Sequence, residues 1–393
     1  MEYIIAAEAA EKWGITVRQV QRLLAANRIP GTKQYGRSQL IPADAKKPGD
    51  PRFEKKQPEK PPSSNLAEII AEASLSLPHD NPDAIFDIVK KERIRRIYKG
   101  ELAYLRGDFE QTKQCYQKAE GDDMAKLRAA SFAIAASISS GDYVFYQEIE
   151  SFLKNIIKKD IDTNITMTAE LGLASAYVSA LAPAMVPDWL KNGDFAAFSI
   201  PLLKLDSTFK RVKYFQATKQ YESMLATAQT VLGLIEAENG ISVGDIYFRI
   251  ACAVACCGLD RTDEAKRYLT DAACIYLPHG FITPFAEAVT TLGGLLERLL
   301  EREYPEYYDA VIDQGKRTFT NWLTFHNHFA KNNITLILSL RDYQIAQLAA
   351  KGVPNAKIAE QFHISEGRLK NKISEIYAEL LVNNRNELAK LIL

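Results

Sequence analysis

The sequence predicts a mostly α-helical chain, a helical-repeat solenoid flanked by a small helix-turn-helix module at each end. Three observations carry this. Helical periodicity persists from Leu66 to about Asn333, with no stretch of alternating apolar and polar residues. The triplet 107-GDF-109 returns as 141-GDY-143, 34 residues later, the length of a two-helix repeat unit. Each end carries two short amphipathic helices joined by a tight turn, the second basic on its outer face.

At the amino end, Ala6–Trp13 reads as a helix with Ala7, Ala10 and Trp13 at inward spacing, and Gly14 breaks it. Thr16 then caps a second helix through Ala26. Its Val17, Val20, Leu23 and Leu24 turn inward, and Arg18, Gln19, Gln21 and Arg22 lie outside. The stretch 28-RIPGTKQYGRSQLIPADAKKP-48 predicts two short strands around a Gly-rich turn, a wing carrying Lys33, Tyr35 and Arg37. Helix, turn, helix, then R-I-P-G and G-R-x-x-x-I-P, resembles the MerR/excisionase group of winged helix-turn-helix domains over about 45 residues. The resemblance implies double-stranded DNA as partner, with Arg18, Gln19 and Arg22 in the groove and Lys33 and Arg37 on the backbone. Gln39 departs from the group, which often has an aromatic residue there. A small protein-docking domain is the alternative.

Between Lys46 and Asn65 stand Pro48, Pro51, Pro58, Pro61 and Pro62 among lysines, the composition of a solvated polyproline-like tether. The boundaries expected are 1–48 for the winged module, 49–65 for the linker, 66–333 for the helical middle and 334–393 for the last module.

In the middle, 258-GLDRTDEAKRYLTDA-272 repeats the second-helix pattern, and 217-ATKQYESMLATAQTVLGL-234 is a fainter copy. Two antiparallel helices cannot bury their own faces, so stacked pairs supply the core, as in a tetratricopeptide-like array. No constellation there calls for catalysis. Cys252, Cys256 and Cys257 lie among alanines and valine and read as core. Asp160 and Asp162 read as a helix end, and His326 and His328, two apart, point to different helix faces. Aromatic residues crowd 176–198, where Pro183 and Pro187 interrupt helical order; core is the better reading and a pocket wall the alternative. Tyr247, Phe248, Tyr276, Phe281 and Phe285 are open in the same way.

At the carboxyl end, Leu338, Leu340, Ile345, Leu348 and Ala349 give one apolar face, and Gly352 ends that helix. Asn355 is expected to cap the next, with Ile358, Ala359 and Phe362 inside. After the turn 363-HIS-365, Ser365 caps a third helix that buries Leu369, Ile373, Ile376 and Leu380 and leaves Arg368, Lys370, Asn371, Lys372 and Ser374 outside. The frames 338-LSLRD-342, Ala350 through Ala359, Ile364-Ser365 and 382-VNNRNEL-388 resemble the LuxR/NarL-type DNA-binding domain over about 55 residues. That resemblance implies a third helix lying in the major groove, with Lys370, Asn371 and Ser374 at base edges. Gly367, 368-RLK-370 and Lys372 depart from the usual residues without removing positive charge, which leaves DNA binding expected and sequence preference open; a module kept only for packing is the alternative. The ATPase module of large maltose-activator-type regulators is missing, since no G-x-x-x-x-G-K-[ST] occurs.

Charge agrees with this division. Lys and Arg outnumber Asp and Glu by 12 to 7 over residues 1–60 and by 9 to 6 over 331–393, whereas the remainder holds 28 against 36. The start of the chain lacks a signal-peptide pattern, no apolar run approaches the ~18 residues of a membrane span, and five cysteines fit a reducing compartment. The expectation is a cytoplasmic, non-enzymatic transcription regulator without cofactor or metal. It binds DNA and takes a peptide, protein or small-molecule effector on its helical middle. A homodimer is expected through Leu388, Leu391 and Ile392 of the last helix. The alternative is an adaptor or anti-activator that pairs with another LuxR-type regulator.

Overall fold

The computed structural model describes residues 3–36, 38–48, 63–235, 241–292, 294–330, 338 and 340–392. The chain divides into two compact units, Met1–Pro61 and Pro62–Leu393. Arg37 and most of the proline-rich segment lie outside the described residues.

In the first unit, β1 (Tyr3–Ile4) leads into α1 (Ala6–Trp13) and α2 (Val17–Ala25), followed by β2 (Lys33–Tyr35) and β3 (Ser38–Pro42). The strands pair antiparallel in the order β1-β3-β2, with Tyr3 opposite Pro42 and Lys33 opposite Leu40. β1 was not expected: a two-residue strand is too short to show alternation. Gly14 takes a left-handed conformation (φ 60°) and closes α1. Thr16 and Gln19 then cap α2 reciprocally, with Gln19 N donating to Thr16 Oγ1 at 3.3 Å and Thr16 N to Gln19 Oε1 at 2.9 Å. Two expected inward residues prove exposed. Ala7 gives way to Ala9, because the inward arc of α1 is Ala6, Ala9, Ala10 and Trp13. Val17 is 41% exposed, since it sits at the first helical position, ahead of the buried arc of Val20 and Leu24.

The second unit runs through α3 (Ser63–Glu72), α4 (Ile85–Ile88), α5 (Glu92–Leu105), α6 (Phe109–Gln117), α7 (Asp123–Ser140), α8 (Tyr143–Lys159), α9 (Thr163–Ser179) and α10 (Asp188–Asn192). It continues with α11 (Pro201–Ala217), α12 (Tyr221–Ile235), α13 (Val243–Gly258), α14 (Thr262–Tyr276), α15 (Thr283–Leu292), α16 (Gly294–Glu303) and α17 (Pro305–Ala330). Four helices end it: α18 (Leu340–Ala350), α19 (Asn355–Gln361), α20 (Glu366–Glu379) and α21 (Arg385–Ile392). The chain is thus mostly α-helical. Among the described residues of this unit the strand-like pairing is one isolated bridge, Leu77 to Ile241.

The hairpins α5/α6, α7/α8, α11/α12 and α13/α14 share one turn. A residue at positive φ (Gly107, Gly141, Lys219, Asp260) ends the first helix. The next residue's N–H then reaches back five positions, Asp108 to Ala103, Asp142 to Ser137, Gln220 to Phe215 and Arg261 to Cys256, each at 2.9 Å. In the first two turns the Asp also caps the following helix, accepting from Gln111 N and Phe145 N at 2.9 Å. The 34-residue echo of Gly-Asp-aromatic is therefore a repeated turn-and-cap.

Helices α7 and α9 carry small and apolar residues on every side and are buried on every side. Around them α11–α15 curl back, so that α15 meets α5 and α17 lies against α7 and α15. Tyr177 and Phe198 are core, as are Tyr276, Phe281 and Phe285, while Cys252 and Cys256 are fully buried within α13. Asp162 caps α9, and Asp160 ends α8.

Helix α17 fastens the stack. Its Asn321 Nδ2 donates to Ser139 O at 2.8 Å, Trp322 Nε1 to Ser179 O at 2.8 Å and His326 Nδ1 to Ala180 O at 2.7 Å, which satisfies carbonyls at the ends of α7 and α9. His328, by contrast, is exposed beside Tyr143. The turn glycines lie under this helix: a Cβ at Gly141 would come within 2.8 Å of Asn321, and one at Gly107 would collide with Gln314.

Two outcomes test this packing. Gly121 has φ 82° with open space around it, whereas Gly141 has φ 76° and Asn321 above it. Alanine at either position should cost about 1–2 kcal/mol for the left-handed backbone, and Gly141→Ala should cost more, measured by urea unfolding. Equal losses would remove Asn321 from the account. Glu297 provides the second outcome. Its Oε2 is buried without a hydrogen-bond partner among the described residues, and burial pushes its carboxyl up to about 7. Between an unfolded value near 4.5 and about 7 the folded chain binds the extra proton, so stability falls as pH rises through that window. Glu297→Gln should therefore stabilise the chain at pH 8 and change little at pH 5.

Candidate nucleic-acid interface and interior cavity

The last four helices close around Tyr343, Ile345, Leu369, Ile373, Ile376 and Leu388. Gly352 (φ 79°) ends α18. Asn355 does not cap α19, because Pro354 holds the cap position; Asn355 is the first helical residue, and its Oδ1 accepts from Arg385 Nη2 at 2.8 Å. His363 supplies the left-handed turn (φ 53°), and Ser365 Oγ accepts from Arg368 N at 3.3 Å to start α20. Arg341 Nη2 donates to Phe362 O at 2.9 Å. Both arginines belong to the quoted frames: Arg341 braces the turn, and Arg385 the start of α19.

On α20, Leu369, Ile373 and Ile376 are buried, and Gly367, Lys370, Asn371 and Ser374 line the opposite face at i, i+3, i+4 and i+7, all exposed. Arg368 is exposed at its edge. Ser374 Oγ donates back to Lys370 O at 3.0 Å, so this hydroxyl serves its own helix. Lys372 lies to the side, paired with Glu375 at 2.8 Å and Asp342 at 3.4 Å. The hydrogen bond to Glu375 raises its pKa, but the two carboxylates cancel much of its reach. Helix α20 packs on α18 and α19, while α18 touches α15 and α17, so the outer face of α20 stays open. A buried hydrogen bond from Gln344 Nε2 to Val289 O, 2.9 Å, joins α18 to α15.

In the first unit, Arg18 and Arg22 are exposed one turn apart on α2. Gln19 is exposed too, but its side-chain oxygen is committed to Thr16, as donor pairs at 2.9 and 3.1 Å show. Lys33 lies 5.1 Å from the centre of the Tyr3 ring. The place of Arg37 lies outside the described residues.

A cavity of about 530 Å³ lies in the second unit, bordered by α5, α7, α9, α11, α12, α13, α15 and the end of α3. Val178, Tyr247 and Phe248 line it, so the pocket-wall alternative holds for them, whereas the charged residues of its wall were not foreseen. Aliphatic and aromatic side chains dominate it, Tyr247 and Phe248 among them. Charged residues also reach it: Glu101, Arg128, Asp206, Lys210, Lys213 and Glu287. The available signal was charge set inside apolar helical runs, as in 100-GELAYL-105 and 209-FKRVKYF-215.

The family described as bacterial regulatory proteins, luxR family, matches residues 336–392, so this segment is a luxR-type helix-turn-helix domain. The chain is similar to the uncharacterized transcriptional regulatory protein YvfU of Bacillus subtilis (strain 168), 36% identical over 95 residues, 24% of this chain and 46% of that protein. It is also similar to the HTH-type transcriptional regulators MalT of Vibrio campbellii (strain ATCC BAA-1116) and Vibrio parahaemolyticus serotype O3:K6 (strain RIMD 2210633). Each is 26% identical over 141 residues, 32% of this chain and 16% of the relative. The chain thus spans about half of the first relative and about a sixth of the other two. No solved structure matches.

Gly367 gives a local test. A Cβ there meets nothing within 4 Å, and the backbone is helical. Gly367→Ala should raise stability by about 0.5–1 kcal/mol through helix propensity alone. A loss in urea unfolding would mean that the position is sterically closed.

Proposed function

We propose that the chain is a DNA-binding transcription regulator whose helical middle senses an effector. The observation that carries this is the outer face of α20. On a luxR-type domain it offers Lys370 and Asn371 with no competing intramolecular side-chain contact among the described residues, beside exposed Arg368. A lysine and an amide on a helix of groove-fitting width suit base-edge contacts, and the Ser365-capped N-terminus suits a phosphate. Ser374 is a weaker reader in this proposal, and Lys372 acts at the rim.

The finer parts belong to the same reading. The first unit is a MerR/excisionase-like winged module that reads with Arg18 and Arg22 and places Lys33 and Arg37 on the backbone. The middle, 66–333, is a tetratricopeptide-like array, a reading supported by the repeated turn-and-cap. The chain has no enzymatic role here. It forms a homodimer through α21 by way of Leu391, which is 38% exposed; Leu388 is fully buried in its own domain and is unavailable, and the side chain of Ile392 lies outside the described residues.

Anisotropy titrations on a selected site and on random duplex test the reading. Lys370→Ala should cost about 1–3 kcal/mol on the selected site and blur one position of it. Arg22→Ala should weaken all sequences alike and lower the salt slope by about one. If Lys370→Ala leaves affinity and preference intact, an adaptor that pairs with another luxR-type protein replaces this reading.

A further inference from the structure

The cavity, which is partly open to solvent, is lined by two closed ion pairs and by two further opposite charges, Lys213 and Glu287, that form none among the described residues. Arg128 meets Glu101 at 2.6 Å and also donates to Ala73 O at 2.7 Å. Lys210 meets Asp206 at 2.5 Å, one turn away on α11. These charges are satisfied within the protein. Lys213 and Glu287 are not. Each feels the other's charge, yet they form no ion pair, and Lys213 has no hydrogen bond among the described residues. Glu287 accepts from the Tyr104 hydroxyl through Oε1, and its Oε2 has no hydrogen bond among the described residues. Both are half-buried by area because they face the cavity, while protein surrounds them.

Opposite charges that line one largely apolar cavity without pairing are unfavourable unless a third group completes them. Burial accordingly pushes Lys213 down and Glu287 up. The neighbouring surface is aromatic. Lys213 Nζ lies 5.9 Å from the centre of the Phe209 ring, which packs 5.3 Å from Tyr247 and 5.6 Å from Phe248.

We infer that this cavity takes a small zwitterion of the amino-acid or dipeptide class. Its carboxylate meets Lys213, its ammonium meets Glu287 Oε2, and its apolar side chain lies against Phe209 and Phe248. A cavity of about 530 Å³ falls in the ~300–1,000 Å³ range of small-molecule pockets, enough for a large apolar amino acid or a dipeptide. A carboxylate without an amine leaves Glu287 unmet, and an amine without a carboxylate leaves Lys213 unmet. The inference rests on reading the middle as an effector sensor, and it names the effector's chemistry.

Calorimetric titration of the full chain, with no DNA present, tests it. The ligands are L-phenylalanine, L-leucine, Phe-Leu and Leu-Leu, with 3-phenylpropionate and phenethylamine as single-charge analogues. At least one zwitterion should bind about tenfold or more tightly than either analogue. Free amino acids and dipeptides in the panel separate the two sources. Lys213→Met should remove the advantage over phenethylamine, and Glu287→Gln the advantage over 3-phenylpropionate, with unchanged far-UV circular dichroism showing that the fold persists. The comparison of zwitterions with analogues on the unaltered chain stands even if a variant fails to fold. No binding by any of the four at about 10 mM, analogues that bind as tightly as the zwitterions, or an advantage that survives both substitutions overturns the inference. DNA binding is measured separately, so its failure and this one remain distinct.

Discussion

Helix α17 is the constraint on which the second unit depends. A stack of helical hairpins leaves carbonyls unsatisfied at every helix end, and buried ones must find donors. α17 supplies several from one side. Asn321, Trp322 and His326 close the ends of α7 and α9, and Gln314 Nε2 donates at 2.8 Å to Thr283 Oγ1, which itself donates to Tyr104 O at 2.6 Å. Gln314 and Asn321 sit seven residues apart, about 10.5 Å along a helix. They lie over Gly107 and Gly141, the equivalent turns of successive hairpins. The spacing of the sequence echo and the rise of α17 are two expressions of one stacking distance. Glycine is required twice over at these turns, once for the left-handed backbone and once for the close approach of a side chain.

The same fastening places α15. With α17 on one side and α5 and α13 on others, α15 presents Glu287 to the cavity. Two residues on, Val289 gives its carbonyl to Gln344 of the luxR-type domain. A Cβ at Gly315 of α17 would come within 2.8 Å of Val289, so this stretch has little room to shift alone. Cavity wall and seat of the terminal domain are therefore neighbouring residues of one helix. A ligand at Glu287 alters that seat only so far as it binds two arrangements of α15 unequally. The geometry makes the route short; the difference in affinity would set its strength.

Legibility in the sequence followed the range of the interactions. Features set by local chemistry were readable: the caps at Thr16 and Ser365, the break at Gly14 and the Gly-Asp-aromatic turns. The inward residues of α20 were readable too, since a long amphipathic helix has one apolar face. Short-range misreadings came where few residues define the period. Eight residues of α1 permit two arcs, and Ala7 fell on the wrong one; Val17 precedes its arc; Asn355 follows a proline that already holds the cap position. Long-range features were not readable. The cavity exists because α15 returns to α5, and no local pattern says that Glu101, Lys213 and Glu287, up to 186 residues apart in sequence, share a wall.

The two candidate reading helices differ in what their own caps leave free. On α2 the capping box consumes the side-chain oxygen of Gln19, so the outward face is chiefly Arg18 and Arg22. Arginine forks suit phosphates as well as guanines. On α20 the cap is Ser365 alone, which does not draw on the outer face, and Lys370 and Asn371 remain side by side there. An amide presents both donor and acceptor, which a base edge can discriminate and a phosphate cannot. In the function proposed above, α20 is thus the better suited of the two to sequence preference, and the arginines of α2 are suited to charge contacts, which salt screens.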